Sequence, residues 1–315
     1  MHPALFADAD KAIATGLHAL LKRQDRDGCW RDFSLSPGAS EAWSTAWTGW
    51  CIAHTDPCVE TITAMGRAAS ALMRHGRSMG WGYNSTTGPD ADSTAWAIRF
   101  LAVIAPETAR SRARVLDHYV DASGEAHTFL ELEKGDWSEA HADVTPVVGL
   151  ALLRAQAPRD RIKQIRKTIL LRAQASWPPK GFWWTNQTYG LAWTLVFLAF
   201  LESLPFDLAR DSKRWLEAQQ VPPDAMGKAL ELLAWVALGI WNHPRAIAIG
   251  CDLLAGVSSD GWPGSASLLV PPQHADSASD GDQCGPFSDS GIMSTGIAIA
   301  ALARWRRPRS IHSQP

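Results

Sequence analysis

The feature of this sequence that most restricts its fold is a short segment that recurs along the chain. Glu41–Trp47 (EAWSTAW) matches Asp90–Trp96 (DADSTAW) at an offset of 49 residues, and His141–Val147 (HADVTPV) follows 51 residues later. Gln187–Trp193 (QTYGLAW) ends in the same Ala-Trp pair, and Gly291–Ile297 (GIMSTGI) keeps the Ser-Thr pair, whereas the segment DAMGKAL is a weak copy. Such a period indicates a repeat architecture, in which each unit buries its apolar face against its neighbours.

Each repeat unit has the pattern of two helices joined by a loop rich in Gly, Trp and Asp. Apolar residues recur with helical periodicity, and strand-like alternation is nearly absent. The first helix of a unit is amphipathic, whereas the second is apolar nearly all round and therefore needs burial. We predict first helices near 9–23, 60–75, 107–120, 158–174, 208–219 and 244–256, and second helices near 40–54, 90–105, 142–156, 187–203, 226–240 and 290–305.

Six buried helices inside six amphipathic helices predict an all-α fold, an α6/α6 barrel (α/α toroid) of six helix pairs. An open solenoid is the alternative, but six pairs without obvious polar end-caps favour closure. We expect one domain over residues 1–308 and a flexible tail over residues 309–315. In a closed barrel, equivalent repeat positions form a ring around one mouth. This ring holds Trp43, Asp92, Asp143, Tyr189 and Met293.

Composition and charge narrow the classes of function. The 315-residue chain has a formal net charge of -2, which gives no reason to expect a nucleic acid partner. Its five cysteines are odd in number and form no CxxC pair, so they predict neither a zinc ribbon nor a disulfide framework. The N-terminus lacks the layout of a signal peptide, and the longest apolar run, residues 189–201, is too short to span a membrane. We therefore expect a soluble cytoplasmic protein.

Tryptophan is the outlier of the composition, with 16 residues against 9 Phe and 3 Tyr. An indole ring offers a large apolar surface and a π face that attracts cations. Trp30, Trp177 and Trp262 lie in the loops and predict stacking between repeats. Other aromatic residues lie on or just before the second helices, where they are candidates to bind a substrate, with core packing as the alternative for each. They are Trp43, Trp47, Trp81, Tyr83, Trp96, Trp183, Trp184, Tyr189 and Trp193.

Two motifs resemble those of a known enzyme superfamily. Gln24–Trp30 (QDRDGCW) resembles the QW repeat of squalene–hopene cyclases, in which Gln ends an outer helix and Trp starts the next loop; Arg172–Trp177 (RAQASW) is a degenerate copy. Pro89–Trp96 (PDADSTAW) resembles the DxDD-T-A acid motif of class II terpene cyclases. The resemblance implies a short barrel enzyme of this superfamily, with an apolar isoprenoid substrate and neither a metal nor a cofactor.

By that resemblance, Asp92 is the general acid that protonates an alkene or epoxide, and Asp90 holds it in place. Protonation of a carbon–carbon double bond needs a neutral carboxyl, which burial beside a second carboxyl maintains. The carbocation that follows needs excluded water and nearby π faces, which a barrel rich in Trp supplies. From the residues alone, a pair of aspartates before a helix is equally typical of an N-cap.

Departures from the family pattern keep other functions open. Ser93 stands where the motif has its last Asp, the family usually has a second barrel domain, and no DDxxD is present for magnesium-assisted ionisation of a diphosphate. Protein prenyltransferase β subunits share the barrel and bind zinc, but the available residues His274, Asp282, Cys284 and Asp289 have poor spacing for it. The alternatives are therefore a barrel repurposed for a non-isoprenoid intermediate of specialised metabolism, and a non-catalytic subunit of a homo- or hetero-oligomer.

The remaining candidates lie around the inferred mouth. Asp143 is a second carboxylate of the ring, and we favour a helix cap before Pro146 over a partner of Asp92 or a second acid. Asp289 and Met293 complete the set of expected substrate-binding residues. The segment 264–289, rich in Pro, Gly and Ser, is either a lid or plain surface. The basic segment 159–172 is expected to be a solvated face, with a partner or a peripheral membrane contact as the alternative.

Overall fold

The computed structural model describes residues 3–273 and 284–307, and these residues form twelve α-helices. The outer helices are α1 (Pro3–Lys22), α3 (Val59–His75), α5 (Pro106–Ala113), α7 (Arg159–Ala175), α9 (Phe206–Ala218) and α11 (Pro244–Gly256). The inner helices are α2 (Ala42–Ile52), α4 (Ala91–Ile104), α6 (Thr145–Arg154), α8 (Thr188–Phe200), α10 (Ala225–Ala237) and α12 (Ile292–Arg306). Short 3-10 helices cover Arg114–His118 and Leu132–Ser138.

Two small antiparallel sheets complete the described structure. Strand β1 (Ser34–Leu35) pairs with β2 (Gly38–Ala39), and β3 (Leu268–Val270) pairs with β4 (Gly285–Phe287) so that Leu268 lies opposite Phe287. Both sheets lie in loops that precede an inner helix, α2 in the first case and α12 in the second.

The inner helices form a closed ring, which confirms the predicted α6/α6 barrel and excludes the open solenoid. They contact one another in the order α2, α4, α6, α8, α10, α12, and α12 returns to α2. On the outside, α1 contacts both α12 and α11, so the first unit closes against the last. Closure buries α12 from Ile292 to Trp305, as its apolar sequence requires.

The predicted division into buried and amphipathic helices holds in the structure. Every residue of α2 is buried, and α8 is buried from Thr188 to Leu198. The outer helix α7 instead buries a single stripe that includes Ile162, Ile165 and Ile169, and its arginines and lysines face outward or half-outward. Burial of this apolar surface is the main force that holds the two layers together.

Three tryptophans anchor outer helices to inner helices through one repeated set of contacts. The indole N–H of each donates to a carbonyl oxygen of the preceding outer helix, at 2.7–2.9 Å. The backbone N–H of each tryptophan donates to a threonine hydroxyl of the following inner helix. A glycine with positive φ lies one or two residues before each tryptophan. These tryptophan–threonine anchors are Trp30 with Thr45, Trp81 with Thr94, and Trp262 with Thr295.

The anchors give one predicted site residue a structural role. Trp81 is fully buried between α3 and α4 with both of its N–H groups satisfied, and its contact with a substrate stays a prediction. Trp177, in the degenerate copy, has no such anchor: its indole N–H lacks a partner within the described residues.

The domain prediction stays a prediction. Between residues 3 and 307, the described elements all take part in the barrel or in the loops that connect its helices, whereas the predicted tail, residues 309–315, lies outside the described residues. Over that same described part, no helix has both the length and the apolar character needed to cross a membrane.

Candidate active site

All six inner helices begin at the same end of the barrel, because each is the second helix of its unit in a closed ring. Their N-termini concentrate partial positive charge at this mouth. Acidic residues accompany several of them. Asp90 caps α4 by accepting from the Ser93 backbone N–H at 2.7 Å, and Asp224 caps α10 by accepting from the Gly227 N–H at 2.8 Å. The mouth is therefore where the helix ends favour negative charge.

Asp90 caps the start of α4 through both of its carboxylate oxygens. Its Oδ1 accepts from the Ser93 backbone N–H and its Oδ2 from the Ser93 hydroxyl, both at 2.7 Å. Burial raises the pKa of Asp90 to about 6, against the lowering effect of these hydrogen bonds and of the Asp92 backbone N–H. Ser93, the departure from the family motif, thus completes the cap. The role that the resemblance implies for Asp90, to hold Asp92 in place, stays a prediction.

Asp92 has an environment that favours the neutral form of its carboxyl. The residue is partly accessible in the first turn of α4, and its Oδ1 has no hydrogen-bond partner in the described part of the chain. Burial, followed by the charges of Asp90 and Asp143, raises its pKa well above the usual range. The indole of Trp43 lies close enough to lower this pKa, although its N–H makes no hydrogen bond to a described residue. A carboxyl with a raised pKa and an oxygen without a described partner is a candidate functional group.

Asp143 is not the helix cap that we favoured from the sequence. The residue before α6 is Val144, and no side chain caps that helix. The Asp143 carboxylate instead accepts from two backbone N–H groups of the following unit, those of Phe182 at 2.8 Å and Trp183 at 2.9 Å. These bonds involve only Oδ2; Oδ1 is buried without a partner among residues 3–273 and 284–307. Burial raises the pKa of Asp143, and the nearby backbone N–H groups of Trp183, Phe182, Asp143 and Val144 oppose that change.

Three tryptophans, one from each of three inner helices, pack together in the interior of the barrel. We call Trp47, Trp96 and Trp193 the aromatic floor. Their ring centroids are 4.5 Å apart for the first two, 5.1 Å for the last two and 6.1 Å for the remaining pair. Trp96 lies one helical turn beyond Asp92 on α4, so the floor faces the carboxyl from below. Its π faces suit a nearby positive charge.

A loop closes the lumen from above. Trp184 stacks on Tyr189 with ring centroids 3.8 Å apart and also lies 6.2 Å from both Trp43 and Trp47. The backbone of this loop pairs with the predicted lid segment. The Leu269 backbone N–H donates to the Trp183 carbonyl oxygen, and an isolated antiparallel β-bridge joins Trp184 to Leu268. We call residues 183–185, β3 and β4 the mouth cover. Residues 274–283 of the predicted lid lie outside the described residues.

Other predicted site residues have their polar atoms occupied by the fold. The Tyr83 hydroxyl donates to the carbonyl oxygens of Phe33 and Gly38. Asp289 accepts four hydrogen bonds at the start of α12, from Ser265, Gly291 and Ser294. The polar atoms of both residues thus support the loops and the start of α12, and their contact with a substrate stays a prediction.

Two further predicted residues, Met293 and Trp183, make hydrogen bonds to residues of the site and its edge. The Met293 carbonyl oxygen accepts from the Trp47 indole at 3.1 Å, and its buried side chain offers no polar group. The Trp183 indole donates to the Thr128 hydroxyl at 3.1 Å and the ring is only half-buried, at the edge of the mouth cover. Four of the five ring positions, Trp43, Asp92, Asp143 and Tyr189, are linked by ring contacts or by charge interactions.

Sequence reasoning missed a buried arginine beneath the aromatic floor. Arg99 is fully buried, and its guanidinium lies 4.0 Å from the ring centroid of Trp96, 4.4 Å from Trp50 and 4.5 Å from Trp193. Burial lowers its pKa to about 9, and its Nε and Nη1 have no partner in the described part. The signal was present: Arg99 is the one charged residue of Trp96–Ile104 and follows Asp92 by seven residues, two turns along α4.

The described residues give little support to the alternative that the protein binds zinc. Within the described residues, no group of three or more His, Cys, Asp or Glu side chains is arranged to hold a metal ion. Of the four residues considered from the sequence, His274 and Asp282 lie outside the described residues, and the oxygens of Asp289 are hydrogen-bonded to the start of α12.

Comparisons with known proteins support the fold. No protein-family model and no curated protein matches this chain. Among solved structures, it is similar to a variant of the type II terpene cyclase MstE from Scytonema bound to its substrate geranylgeranyl dihydroxybenzoate, with a TM-score of 0.83 and 20% identity over 98% of this chain and 100% of that chain. It is also similar to ent-copalyl diphosphate synthase from Streptomyces platensis (TM-score 0.60, 17% identity, 83% of this chain and 50% of that chain).

A third similar structure has a different chemistry. It is the unsaturated glucuronyl hydrolase from Bacillus sp. GL1, with a TM-score of 0.61 and 13% identity over 96% of this chain and 97% of that chain. The similarity to MstE and to ent-copalyl diphosphate synthase shows that the chain has the fold of the class II terpene cyclases. Because a hydrolase of sugars shares its barrel, the function has to be argued from the site.

Proposed function

We propose that this barrel, which has the fold of the class II terpene cyclases, is an enzyme that starts ring formation or isomerisation of an apolar isoprenoid by protonating it with Asp92, without a metal. One observation carries the proposal. Burial and two neighbouring carboxylates raise the pKa of the Asp92 carboxyl, and its Oδ1 has no partner among the described residues, one helical turn from an aromatic cluster. A buried carboxyl without a partner is costly to a fold, so a role with a ligand explains it better than a structural role.

The surroundings of Asp92 suit each stage of such a reaction. The neutral carboxyl donates its proton to an alkene or epoxide of the substrate. The positive charge that forms on carbon then lies between Trp43 above and the aromatic floor below, whose π faces stabilise it. The mouth cover excludes water, which would otherwise capture the cation. MstE, similar in fold over nearly the whole chain, binds a substrate with a geranylgeranyl chain.

The proposal is tested by a comparison of the wild type with Asp92→Asn. Both proteins are incubated in deuterated water with a chelator and with linear isoprenoids, their diphosphates and geranylgeranyl dihydroxybenzoate. We expect the wild type to form an isomer that carries a single deuterium, because the acid delivers a solvent-derived proton. Loss of the general acid is expected to reduce turnover by about 10²-fold or more. Mass spectrometry measures both effects.

The exposed Asp260→Asn provides the matched control, because it makes the same chemical change in a surface loop. Turnover that Asp92→Asn leaves unchanged would refute the proposal. Product without deuterium would also refute it, since no protonation would then have started the reaction.

A second candidate function is favoured by the filling of the lumen. Trp184 packs against Trp43, and Arg99 lies against Trp96, so large side chains occupy the interior on both sides of Asp92. This favours a smaller substrate, such as a short prenyl group on an aromatic head or a non-isoprenoid intermediate of specialised metabolism, with Asp92 and Asp143 at its polar group. A series of geranyl, farnesyl and geranylgeranyl dihydroxybenzoates separates the two. Turnover confined to the shortest chain, or absent for all of them, favours the second function.

A further inference from the structure

We propose that Asp143 is the catalytic base of this site: its Oδ1 holds the carbocation by charge and takes the proton that ends the reaction. The inference rests on the proposed function and assigns a step that Asp92 does not perform. Two observations carry it: Asp143 is close enough to Asp92 for their charges to interact, and its buried Oδ1 has no partner among the described residues.

The two oxygens of Asp143 have different surroundings. Oδ2 accepts from the backbone N–H groups of Phe182 and Trp183, which fixes the carboxylate and stabilises its ionised form. Oδ1 is buried and has no partner in the part of the chain that the structure describes. An anchor for the loop needs only Oδ2. A hydroxyl or amide donor opposite Oδ1 would complete a purely structural site, and its absence among the described residues leaves this oxygen for a ligand.

The surroundings of Asp92 favour the role of acid, and those of Asp143 favour the role of base. Their charges interact, and the Oδ1 of each has no hydrogen-bond partner among the described residues. Asp92 has no donor on Oδ1 and is the carboxyl held neutral, whereas Asp143 has two backbone donors that favour its anion. Two carboxyls with environments that separate their protonation states are the arrangement from which acid and base roles follow.

The proton balance closes for a cyclisation or an isomerisation. Asp92 gives its proton to a substrate carbon, a carbon–carbon π bond is consumed, and a carbocation forms beside the Asp143 anion. A carbon next to the final cation then loses a proton to Asp143 Oδ1, and its C–H electrons form the new double bond. The product is an isomer of the substrate. The enzyme is left with an ionised Asp92 and a neutral Asp143, and one proton moves back through solvent when the product leaves.

The structure also provides a variant that separates the two oxygens. In Asp143→Asn, the side-chain carbonyl still accepts from Phe182 and Trp183, so the mouth cover keeps its anchor. The amide nitrogen then stands in place of Oδ1, which removes both the negative charge and the base. Asp143→Ala also removes the hydrogen bonds to Phe182 and Trp183, so it shows the effect of losing the loop contact on binding.

The first measurement uses equilibrium binding of two matched ligands, geranyldimethylammonium as a cation mimic and geraniol as its neutral counterpart. We expect Asp143→Asn to weaken binding of the ammonium by about tenfold or more, as loss of a buried charged partner does, and to leave geraniol binding within about twofold. Asp92→Asn is expected to leave ammonium binding within about threefold, because a neutral amide replaces a neutral carboxyl.

Three results would overturn the assignment: a wild type that binds neither ligand, an Asp143→Asn variant that binds ammonium like the wild type, or one that loses both ligands together. The last result would mean that Asp143 only holds the loop. These outcomes are distinct from failure of the proposed function, which is decided by turnover in Asp92→Asn.

The second measurement is the product pattern from any substrate that the wild type converts. Asp143→Asn is expected to consume substrate but to shift the product from the wild-type alkene towards a water-captured alcohol or another double-bond isomer. An unchanged product pattern in Asp143→Asn would overturn the base assignment even if Asp92 is shown to be the acid.

Discussion

At the scale of single residues, neighbouring aspartates of one motif have different roles because their oxygens have different partners. Asp90 has both oxygens bound to Ser93 and caps α4, while Asp92, two residues later, has an oxygen without a partner among the described residues. Asp90 still acts on Asp92, since its negative charge is the second largest cause of the raised pKa of Asp92. The cap therefore helps to keep the acid protonated.

Asp90→Asn is expected to make stability depend less on pH. The pKa of Asp90 is raised from 3.8 to about 6, so the unfolded chain releases this proton at lower pH than the folded chain does. Asp90 thus contributes stability that is fully present below pH 3.8 and is lost as the pH rises through about 6. Its loss amounts to about 3 kcal/mol, and Asn, which can keep both contacts with Ser93, lacks this dependence.

Urea unfolding of both proteins between pH 4 and pH 7 measures the difference. Curves of the free energy of unfolding that stay parallel over this range would contradict the prediction. The same variant should move the alkaline limb of the pH–rate profile to lower pH, because the pKa of Asp92 falls when the neighbouring charge is removed.

Arg99 provides a second prediction at this scale. A buried cation held only by π faces costs desolvation, and an apolar side chain of similar length often replaces such a group without loss. We expect Arg99→Met to unfold within about 1 kcal/mol of the wild type or to be more stable. Arg99→Ala should be less stable than Arg99→Met by about 2–5 kcal/mol, because it leaves a cavity between Trp50, Trp96 and Trp193.

Thermal and urea unfolding of both variants check this expectation. An Arg99→Met protein several kcal/mol less stable than the wild type would mean that the guanidinium makes a bond essential to the fold.

At the scale of the elements, the tryptophan–threonine anchors fix each outer helix to the next inner helix. Thr94 is representative: its hydroxyl accepts from the Trp81 backbone N–H at 2.9 Å and donates to the Trp81 carbonyl oxygen at 3.1 Å. Gly80, directly before Trp81, has a φ of +111°, and a Cβ on it would collide with the Thr94 side chain. The repeated Ser-Thr pair and the Gly-Trp loops of the sequence are thus parts of one contact.

Thr94→Val keeps the shape of this side chain and removes its hydroxyl. The buried Trp81 N–H is then left without an acceptor, so we expect a loss of about 1–3 kcal/mol in the free energy of unfolding. Thr63→Val is the matched control, since Thr63 lies on the exposed face of α3 and should change stability by about 0.5 kcal/mol at most. A loss of the same size in both variants would show that the anchor adds nothing specific.

The elements were largely predictable from the sequence, and the site only in part. Apolar periodicity gave the paired helices and their buried face, because α8 and α12 can only be stable when surrounded. Repeat alignment also placed Trp43 and Asp92 near each other. It could not show that Asp143 reaches across to the backbone of Phe182 and Trp183, because that contact depends on how two loops fold in space. Nor does a pattern show which of a carboxylate's two oxygens stays free.

At the scale of the whole molecule, closure makes each helix pair depend on every other. The last inner helix is in contact with both helices of the first unit, and Gly16 allows α1 to approach it: a Cβ at this position would lie 2.7 Å from the Trp262 ring and 3.1 Å from Ile299. The inner helices also end together. Arg154 and Arg304 lie in the last turns of α6 and α12, where positive charge is favourable.

Gly16→Val tests whether the ring unfolds as one unit. Overpacking at this seam should lower the free energy of unfolding by about 1–3 kcal/mol relative to Gly66→Val, whose Cβ meets nothing within 4 Å. If the barrel is cooperative, hydrogen exchange should accelerate in the distant helices α4 and α6 as well as in α1 and α12. Acceleration confined to α1 and α12 would indicate units that unfold one by one, as in an open repeat array.

The anchors and the ring of equivalent positions use different residues of each repeat, and this separation bears on how such a barrel changes through evolution. The fold depends on the threonines and the loop tryptophans, whereas the proposed chemistry depends on the ring positions in or just before the first turns of the inner helices: Trp43, Asp92, Asp143, Tyr189 and Met293. Mutation of one such position changes the side chain at the mouth and leaves the anchors intact. A lineage can therefore exchange acids, bases and aromatic rings around one mouth while selection for foldability acts elsewhere, which makes the same five positions the first choice for a designed library.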